Sequence, residues 1–101
     1  MVADSNFIRF DRASEILRAI AHPVRLAIID LLYRHKALPV KDIQETLDIG
    51  QAVASHHLKI LRFNQVVNTQ RKGRFTFYSL LHEDYQLILE LLQSIKEVQS
   101  R

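Results

Sequence analysis

Residues 39–64, PVKDIQETLDIGQAVASHHLKILRFN, decide the fold of this chain. Pro39 suits the first position of a short helix, because the backbone N–H that proline lacks would have no intrahelical partner there. The apolar residues that share one face of this helix are Val40, Ile43 and Leu47. The chain then turns through residues 48–50, which include Gly50, and a longer helix follows from residue 51 to about residue 64. Two helices separated by a three-residue turn that contains glycine predict a helix-turn-helix over residues 39–64.

The second helix of this motif has a buried face and an outward face. Ala54, Leu58 and Leu61 recur at i, i+4 and i+7, which predicts the buried face. The outward residues are short, polar or basic: Gln51, Ala52, Ser55, His56, Lys59 and Arg62. Glutamine pairs with adenine through both ends of its amide, serine reaches a base edge or a phosphate, and alanine approaches a thymine methyl group. This face therefore suits a DNA major groove, and the alternative is an ordinary amphipathic surface helix.

After residue 64 the residue pattern changes from helical to alternating. β-branched and aromatic residues on both sides of Gly73 predict a β-hairpin over residues 66–80, and Gly73 supplies the positive φ of its tight turn. The basic residues at the hairpin tip are Arg71, Lys72 and Arg74. Such a tip can reach the sugar-phosphate backbone or an adjacent minor groove. We expect the rings of Phe75 and Phe77 to lie in the core rather than to stack on bases.

The helix and the hairpin share an uneven charge distribution. Between Ile49 and His82 there is no Asp or Glu, and all eleven acids of the chain lie outside this acid-free segment. Its basic residues are Lys59, Arg62, Arg71, Lys72 and Arg74. The net charge of +3 therefore understates how strongly the charges are separated. A surface of one sign suits a polyanion, because each neutralised phosphate releases condensed counterions; a chance basic face is the alternative.

Length and composition restrict the class of protein. The 101 residues, of which 48% are apolar, suit a single domain that spans residues 1–101. The absence of cysteine excludes disulfides and thiolate metal sites. Short apolar runs and an N-terminus without a basic head and apolar stretch predict a soluble cytoplasmic protein with no membrane segment. No nucleophile stands beside a positioned base, so we expect neither an enzyme nor a cofactor.

Helices are predicted on both sides of the motif. The first ends near Ala21 and starts near Ser5 or Asp11, with Ala13, Ile16, Leu17 and Ile20 on its apolar face. Pro23 opens the second helix, whose buried stripe is Val24, Ala27, Ile28, Leu31 and Leu32.

The last helix, from about Glu83 to Val98, is too apolar for one buried face. One stripe is Tyr85, Ile88, Leu92 and Ile95, and a second stripe is Leu87, Leu91 and Val98. One stripe can cover the core of the chain, whereas the other would be exposed in a monomer. We therefore predict a two-fold homodimer through residues 1–21 and 83–101, although a monomer with an enclosed helix is the alternative. The predicted interface residues are Phe7, Phe10, Leu87, Leu91, Leu92, Ile95 and Val98.

Three segments together resemble the ArsR-type winged-helix repressors. They are AHPVRL at residues 21–26, QAVASHHLKILR at 51–62, and RKGRF at 71–75 together with Tyr78. The middle segment is the most specific, because the family pattern there reads approximately S-Q-x-x-[VA]-S-x-H-L-x-x-L. The resemblance implies a mainly helical winged helix-turn-helix of order α-α-α-α-β-β-α. It further implies a homodimeric bacterial repressor that blocks a promoter with the fourth helix in the major groove of double-stranded DNA.

Departures from the family pattern concern base reading and metal binding. Gly50 stands where a serine cap is common, and Val53 and His56 stand where threonine and arginine are common, so the preferred base sequence can differ. The family's Cys-x-Cys metal pair falls at Pro39 and Lys41, which do not bind a soft metal.

A second family metal site is only half present. Its first pair of ligands falls at His82 and Asp84, but its second pair falls near Ile95 and Val98, which are not ligands. We therefore expect no metal site. A metal-responsive repressor that uses His82 and Asp84 stays an alternative, as does a winged-helix protein-interaction module without DNA binding. The effector is left open between a small apolar molecule, a hard metal, another protein and none.

Overall fold

The computed structural model describes residues 7–99, which form five helices and one three-stranded antiparallel sheet. The helices are α1 (Ile8–Ile20), α2 (Pro23–His35), α3 (Val40–Leu47), α4 (Gln51–Phe63) and α5 (Asp84–Gln99). The strands are β1 (Ala37–Pro39), β2 (Val67–Lys72) and β3 (Phe75–Leu80). The predicted order of helices and hairpin is confirmed, and the strand β1 is added between α2 and α3.

The first two helices begin for different local reasons. Helix α1 begins at Ile8, so Asp11 lies in its first turn and the prediction that it starts the helix is wrong; Ser5 lies outside the described residues. Helix α2 begins at Pro23, as predicted, and the Nδ1 atom of His22 accepts the backbone N–H of Val24 at 3.1 Å. The imidazole of His22 therefore caps α2 by satisfying a first-turn N–H that has no intrahelical partner.

The sequence pattern predicted that Pro39 opens α3, and this prediction is wrong. Pro39 is the last residue of β1 and precedes α3 in an extended conformation, with φ −74° and ψ 159°. Strand β1 is an edge strand, because the sheet order is β1-β3-β2, and an edge position tolerates the missing N–H of proline. Pro39 pairs with Phe77, and Ala37 pairs with Ser79. A strand of three residues is too short to show an alternating pattern in the sequence.

The turn between α3 and α4 is fixed by a left-handed residue. Asp48 has φ 53° and ψ 52°, a conformation that aspartate adopts more readily than most residues. The backbone N–H of Ile49 donates to the carbonyl oxygen of Gln44 at 3.0 Å, which closes the end of α3. Gly50 then leads into α4 in an extended conformation, and its carbonyl oxygen accepts the N–H of Ala54.

The hydrophobic core lies between α2, α3, α4 and the sheet. Its buried residues are Ile20, Ile28, Ile29, Leu31, Leu32, Ile43, Leu58, Leu61, Val66 and Val67. The predicted inner face of α4 is confirmed, because Ala54, Leu58 and Leu61 are all fully buried. On α1 the predicted apolar face is wrong at Ala13 and Leu17, which are exposed because only the C-terminal end of α1 reaches the core.

Helix α5 covers the core only with its N-terminal half. Tyr85, Ile88 and Leu89 pack against the core, whereas Leu92 and Ile95 of the same predicted stripe are exposed. The helix begins at Asp84 and extends past the core, so the large apolar side chains on its second half are exposed in a single chain. Among residues 7–99, no helix is both long and apolar enough to cross a membrane.

Candidate nucleic-acid interface

The outer face of α4 is exposed along its whole length. Its exposed residues are Gln51, Ala52, Ser55, His56, Lys59 and Arg62. They are the residues that the sequence pattern assigned to a major groove. The opposite side of the helix is anchored by Leu58 and Leu61 in the core, so the rotation of α4 about its own axis is fixed.

The N-terminal turn of α4 carries no negative charge. No side chain caps this end of the helix, and its first turn contains no acid. The free N–H groups of a first turn and the helix dipole both favour an anion there. The first turn of α4, which contains Gln51 and Ala52, is therefore a favourable position for a DNA phosphate.

A histidine on the inner side of α4 connects this helix to α1 and α2. His57 is 7% exposed, and its Nδ1 atom accepts a hydrogen bond from Nε of Arg25 at 3.1 Å. Burial lowers the pKa of His57 below its ordinary value of 6.5, and repulsion by His22, Arg25 and His56 lowers it further. His57 is thus packed inward, whereas His56 is exposed as predicted. Sequence reasoning missed the bond to Arg25.

The C-terminal end of α4 is held by α1. Arg12 donates through Nη2 to the backbone carbonyl oxygen of Asn64 at 2.7 Å, and the side chain of Asn64 donates to the carbonyl oxygen of Ile60 at 2.9 Å. A cation that bonds the last carbonyl groups is favoured by the helix dipole. The C-terminal end of α4 is therefore fixed by a contact with α1 that is distant in sequence.

Strands β2 and β3 and the turn at residues 73–74 form the wing. Its tight turn is the one predicted: Lys72 pairs with Phe75, and Gly73 has φ 63°. Arg71 donates through Nε to the carbonyl oxygen of Gly73 at 3.1 Å, which stiffens the tip. The exposed basic residues of the tip are Arg71, Lys72 and Arg74.

The two phenylalanines of β3 occupy different environments. Phe77 is half-buried, but Phe75 is 50% exposed, so the prediction that both rings lie in the core is wrong for Phe75. Strand β1 pairs with β3 only at residues 77–79, so Phe75 lies on the part of the wing that extends past the end of β1. The guanidinium of Arg74 lies 5.7 Å from the centroid of the Phe75 ring, within the range of a cation–π contact.

No carboxylate among residues 7–99 forms an ion pair with the cations of the acid-free segment. The ion pairs of Arg and Lys seen in residues 7–99 join Arg12 to Glu15, Arg34 to Asp30 and Lys36 to Glu83. None of these pairs includes a basic residue of α4 or the wing. Those charges are therefore available to an external anion.

His82 and Asp84 lie at the start of α5. The Nδ1 atom of His82 accepts the backbone N–H of Asp84 at 3.2 Å and lies 3.6 Å from its carboxylate. Within the described part of the chain, no group of three or more His, Cys, Asp or Glu is arranged to hold a metal ion. Capping of α5 accounts for the geometry of this pair.

Exposed apolar side chains occur at the start of α1 and along α5. The predicted interface residues are all about half exposed or more in the single chain: Phe7, Phe10, Leu87, Leu91, Leu92, Ile95 and Val98. Exposed apolar patches of this kind are typical of protein interaction surfaces.

Known proteins resemble the chain over most of its length. A family model described as a helix-turn-helix domain matches residues 20–68. The transcriptional repressor PagR of Bacillus anthracis is 34% identical over 90 residues, which are 89% of this chain and 90% of PagR. The transcriptional activator HlyU of Vibrio cholerae is 31% identical over 84 residues, which are 83% of this chain and 77% of HlyU.

Solved structures share the fold. The crystal structure of PagR has a TM-score of 0.76 at 35% identity and covers 85% of this chain and 98% of its own. The solution structure of a homodimeric winged helix-turn-helix DNA-binding domain, Mb0332 of Mycobacterium bovis, is described as a possible ArsR-family regulator. It has a TM-score of 0.80 at 26% identity and covers 93% of this chain and 86% of its own. The predicted winged helix-turn-helix fold is therefore confirmed.

Proposed function

The chain belongs to the ArsR-type family of winged helix-turn-helix transcriptional regulators, and from that membership we propose that it is a homodimeric repressor of an inverted-repeat operator. Its role as a DNA-binding transcriptional regulator follows from the family. In the proposal, α4 enters the major groove, the wing contacts the sugar-phosphate backbone, and α1 and α5 form the dimer interface. The protein acts in the cytoplasm and catalyses no reaction.

The charge distribution of α4 and the wing is the observation that supports this proposal most strongly. The exposed faces of both elements belong to the acid-free segment, and their basic residues have no carboxylate partner among residues 7–99. We assign phosphate contacts to Lys59, Arg62, Arg71, Lys72 and Arg74. A module that bound only an acidic protein would not need small uncharged residues between these cations.

Base reading is assigned to the uncharged residues of α4. They are Gln51, Ala52, Ser55 and His56, which are exposed on the face opposite the core. Gln51 is the strongest candidate, because an amide can form two hydrogen bonds with adenine and so distinguish it from other bases. His56 stands where the family commonly has arginine, which predicts a base preference different from that of relatives.

Dimer formation would bury the apolar surface of α1 and α5. Helix α5 extends past the core of its own chain, and exposed Leu91, Leu92 and Ile95 on that half would pack against the partner. A two-fold dimer places its two α4 helices about one turn of DNA apart, or about 34 to 36 Å. The operator is therefore expected to be an inverted repeat with half-sites about 10 base pairs apart.

Selection of bound duplexes from a random pool tests the whole proposal. We expect an inverted repeat with half-site centres separated by about one helical turn. A selected sequence without two-fold symmetry would contradict the dimer model. Failure to bind any duplex at low salt would favour a protein-interaction module instead.

A substitution in α4 tests the assignment of base contacts. Replacing Gln51 with alanine should cost about 1 to 3 kcal/mol at one base pair of each half-site and relax the preference there. Gln93→Ala is the matched control, because Gln93 is exposed on α5 and lies outside the proposed DNA-binding surface. Equal losses on selected and random duplexes would show that Gln51 does not read a base.

A further inference from the structure

A buried histidine connects α4 to the helices behind it. His57 is the only polar side chain buried within residues 7–99. It directly follows exposed His56 and lies two positions after Ser55, so its contacts influence how the outer face of α4 is presented. The chain segments that hold it are the turn before α2 and α2 itself, through His22 and Arg25.

Arg25 bridges α4 and α1. Its Nε atom donates to Nδ1 of His57 at 3.1 Å, and its Nη1 atom donates to the carbonyl oxygen of Ala19 at 3.0 Å. A guanidinium has only donors, so Nδ1 of His57 must be unprotonated, and the ring proton of the neutral imidazole must lie on Nε2. Protonation of Nδ1 would remove the acceptor and place two cations in contact. The bridge therefore exists only while His57 is neutral.

The other groups around His57 also oppose a positive charge. The ring of His22 lies 4.4 Å from that of His57 between centroids, and the ring of His56 lies 5.2 Å away. From α2, the charged group that contacts His57 is Arg25. Helix α1 contributes no charged group, and its Ala19 carbonyl oxygen accepts a hydrogen bond from Arg25. The groups that shift the titration of His57 are thus all basic. Their repulsion adds to the cost of burying an imidazolium.

We propose that Arg25 and His57 form a pH-sensitive latch, which holds the outer face of α4 in its DNA-reading orientation and opens when His57 is protonated. The inference rests on the proposed role of α4 in base reading. Both residues are positioning residues, because His57 is buried on the inner side of α4 and half-buried Arg25 contacts it there. Acidification should therefore weaken sequence-specific binding.

The direction in which DNA affinity changes with pH distinguishes the latch from a general gain of positive charge. A protein that gains protons becomes more positive, which should strengthen its attraction to phosphates. The folded state favours neutral His57, whose pKa is lowered by burial and by neighbouring cations. The stabilisation is thus complete above the ordinary pKa of 6.5 and decreases as the pH falls below that value. Loss of specific affinity at acid pH is the opposite of what added charge alone predicts.

The experiment measures affinity at pH 7.5 and pH 5.5 for a duplex selected from a random pool and for a random-sequence duplex. All proteins, including the one used to select the duplex, carry His56→Gln, because His56 lies on the proposed interface and would add charge there. Affinity for the selected duplex should fall several-fold, and by at most about tenfold, since one proton accounts for one decade per pH unit below 6.5. Affinity for the random duplex should not fall.

Two variants separate the latch from a general loss of structure. In His57→Asn the amide oxygen takes the place of Nδ1 as acceptor and does not titrate, so the fall in specific affinity at pH 5.5 should disappear. Arg25→Lys keeps the charge but loses the two-pronged bridge, so at pH 7.5 it should lower specific affinity with random-duplex affinity unchanged. An identical pH profile in His57→Asn and in the parent protein would overturn the proposal.

Nitrogen NMR of the imidazoles provides a readout that does not require DNA. At pH 7.5 the proton of His57 should lie on Nε2, and the amide signals of α4 should shift as His57 titrates below 6.5. Protonated Nδ1 at pH 7.5, or α4 signals that ignore the titration, would refute the latch. If no duplex binds at any pH, the proposed function fails, and these NMR signals still decide whether the latch exists.

Discussion

Removal of the wing cations should change the salt dependence of DNA binding by a calculable amount. The perturbation is the triple variant Arg71→Ala, Lys72→Ala, Arg74→Ala. All three side chains are exposed at the tip of the wing, and none forms an ion pair with a carboxylate among residues 7–99. They lie beyond the part of β3 that β1 supports, so the fold should tolerate their replacement.

The expected change in salt dependence follows from the number of phosphates that the dimer can neutralise. Five assigned cations per protomer correspond to a slope of about −9 in a plot of log affinity against log salt concentration, at 0.9 per phosphate. Removing three cations from each protomer should reduce the slope to about −4. Between 50 and 200 mM salt, the parent protein should lose affinity by about 10⁵-fold and the variant by about 10²-fold.

Fluorescence anisotropy with a labelled duplex, titrated at several salt concentrations, measures both slopes. The matched control is Arg34→Ala, Lys36→Ala, because these two exposed cations lie at the end of α2 and are paired with Asp30 and Glu83. The control should leave the slope of the parent protein unchanged. If the wing variant keeps a slope near that of the parent, the wing does not contact phosphates and the reasoning is refuted.

Two further predictions concern the dimer and the core. Leu91→Glu places a charge on a side chain that is 59% exposed in the single chain, so it should produce monomers in sedimentation velocity, while Gln93→Glu should not; a dimeric Leu91→Glu protein would exclude this surface as the interface. Leu58→Ala removes a fully buried side chain and should lower the free energy of unfolding by about 2 to 5 kcal/mol in urea titrations. Val53→Ala, at an exposed position of the same helix, should change it by less than about 1 kcal/mol, and equal losses would mean that α4 is not packed as described.

Periodicity predicted the elements that have one clear apolar face. The spacing of Ala54, Leu58 and Leu61 identified the inner side of α4, and these residues are fully buried. Gly73 identified the hairpin turn, because a positive φ strongly favours glycine. The outer face of α4 followed from the same pattern by exclusion.

Features that depend on contacts between distant residues were not visible in the sequence. The bond between Arg25 and His57 joins residues 32 positions apart, and no local pattern indicates it. Strand β1 exists because it pairs with β3, not because Ala37, Leu38 and Pro39 favour a strand. The exposure of Phe75 likewise depends on where β1 ends, which alternation within β3 does not encode.

The edge strand β1 has a mechanical consequence for the way the protein fits its target. Pro39 is at once the last residue of β1 and the residue that precedes α3, so no flexible link separates the sheet from the helix-turn-helix. Strand β1 in turn is hydrogen-bonded to β3 of the wing. The wing and the helix-turn-helix therefore form one rigid unit, in which the spacing between the wing and α4 is fixed. This unit should discriminate between duplexes by groove width as well as by base sequence, because it cannot adjust its spacing to a wider groove.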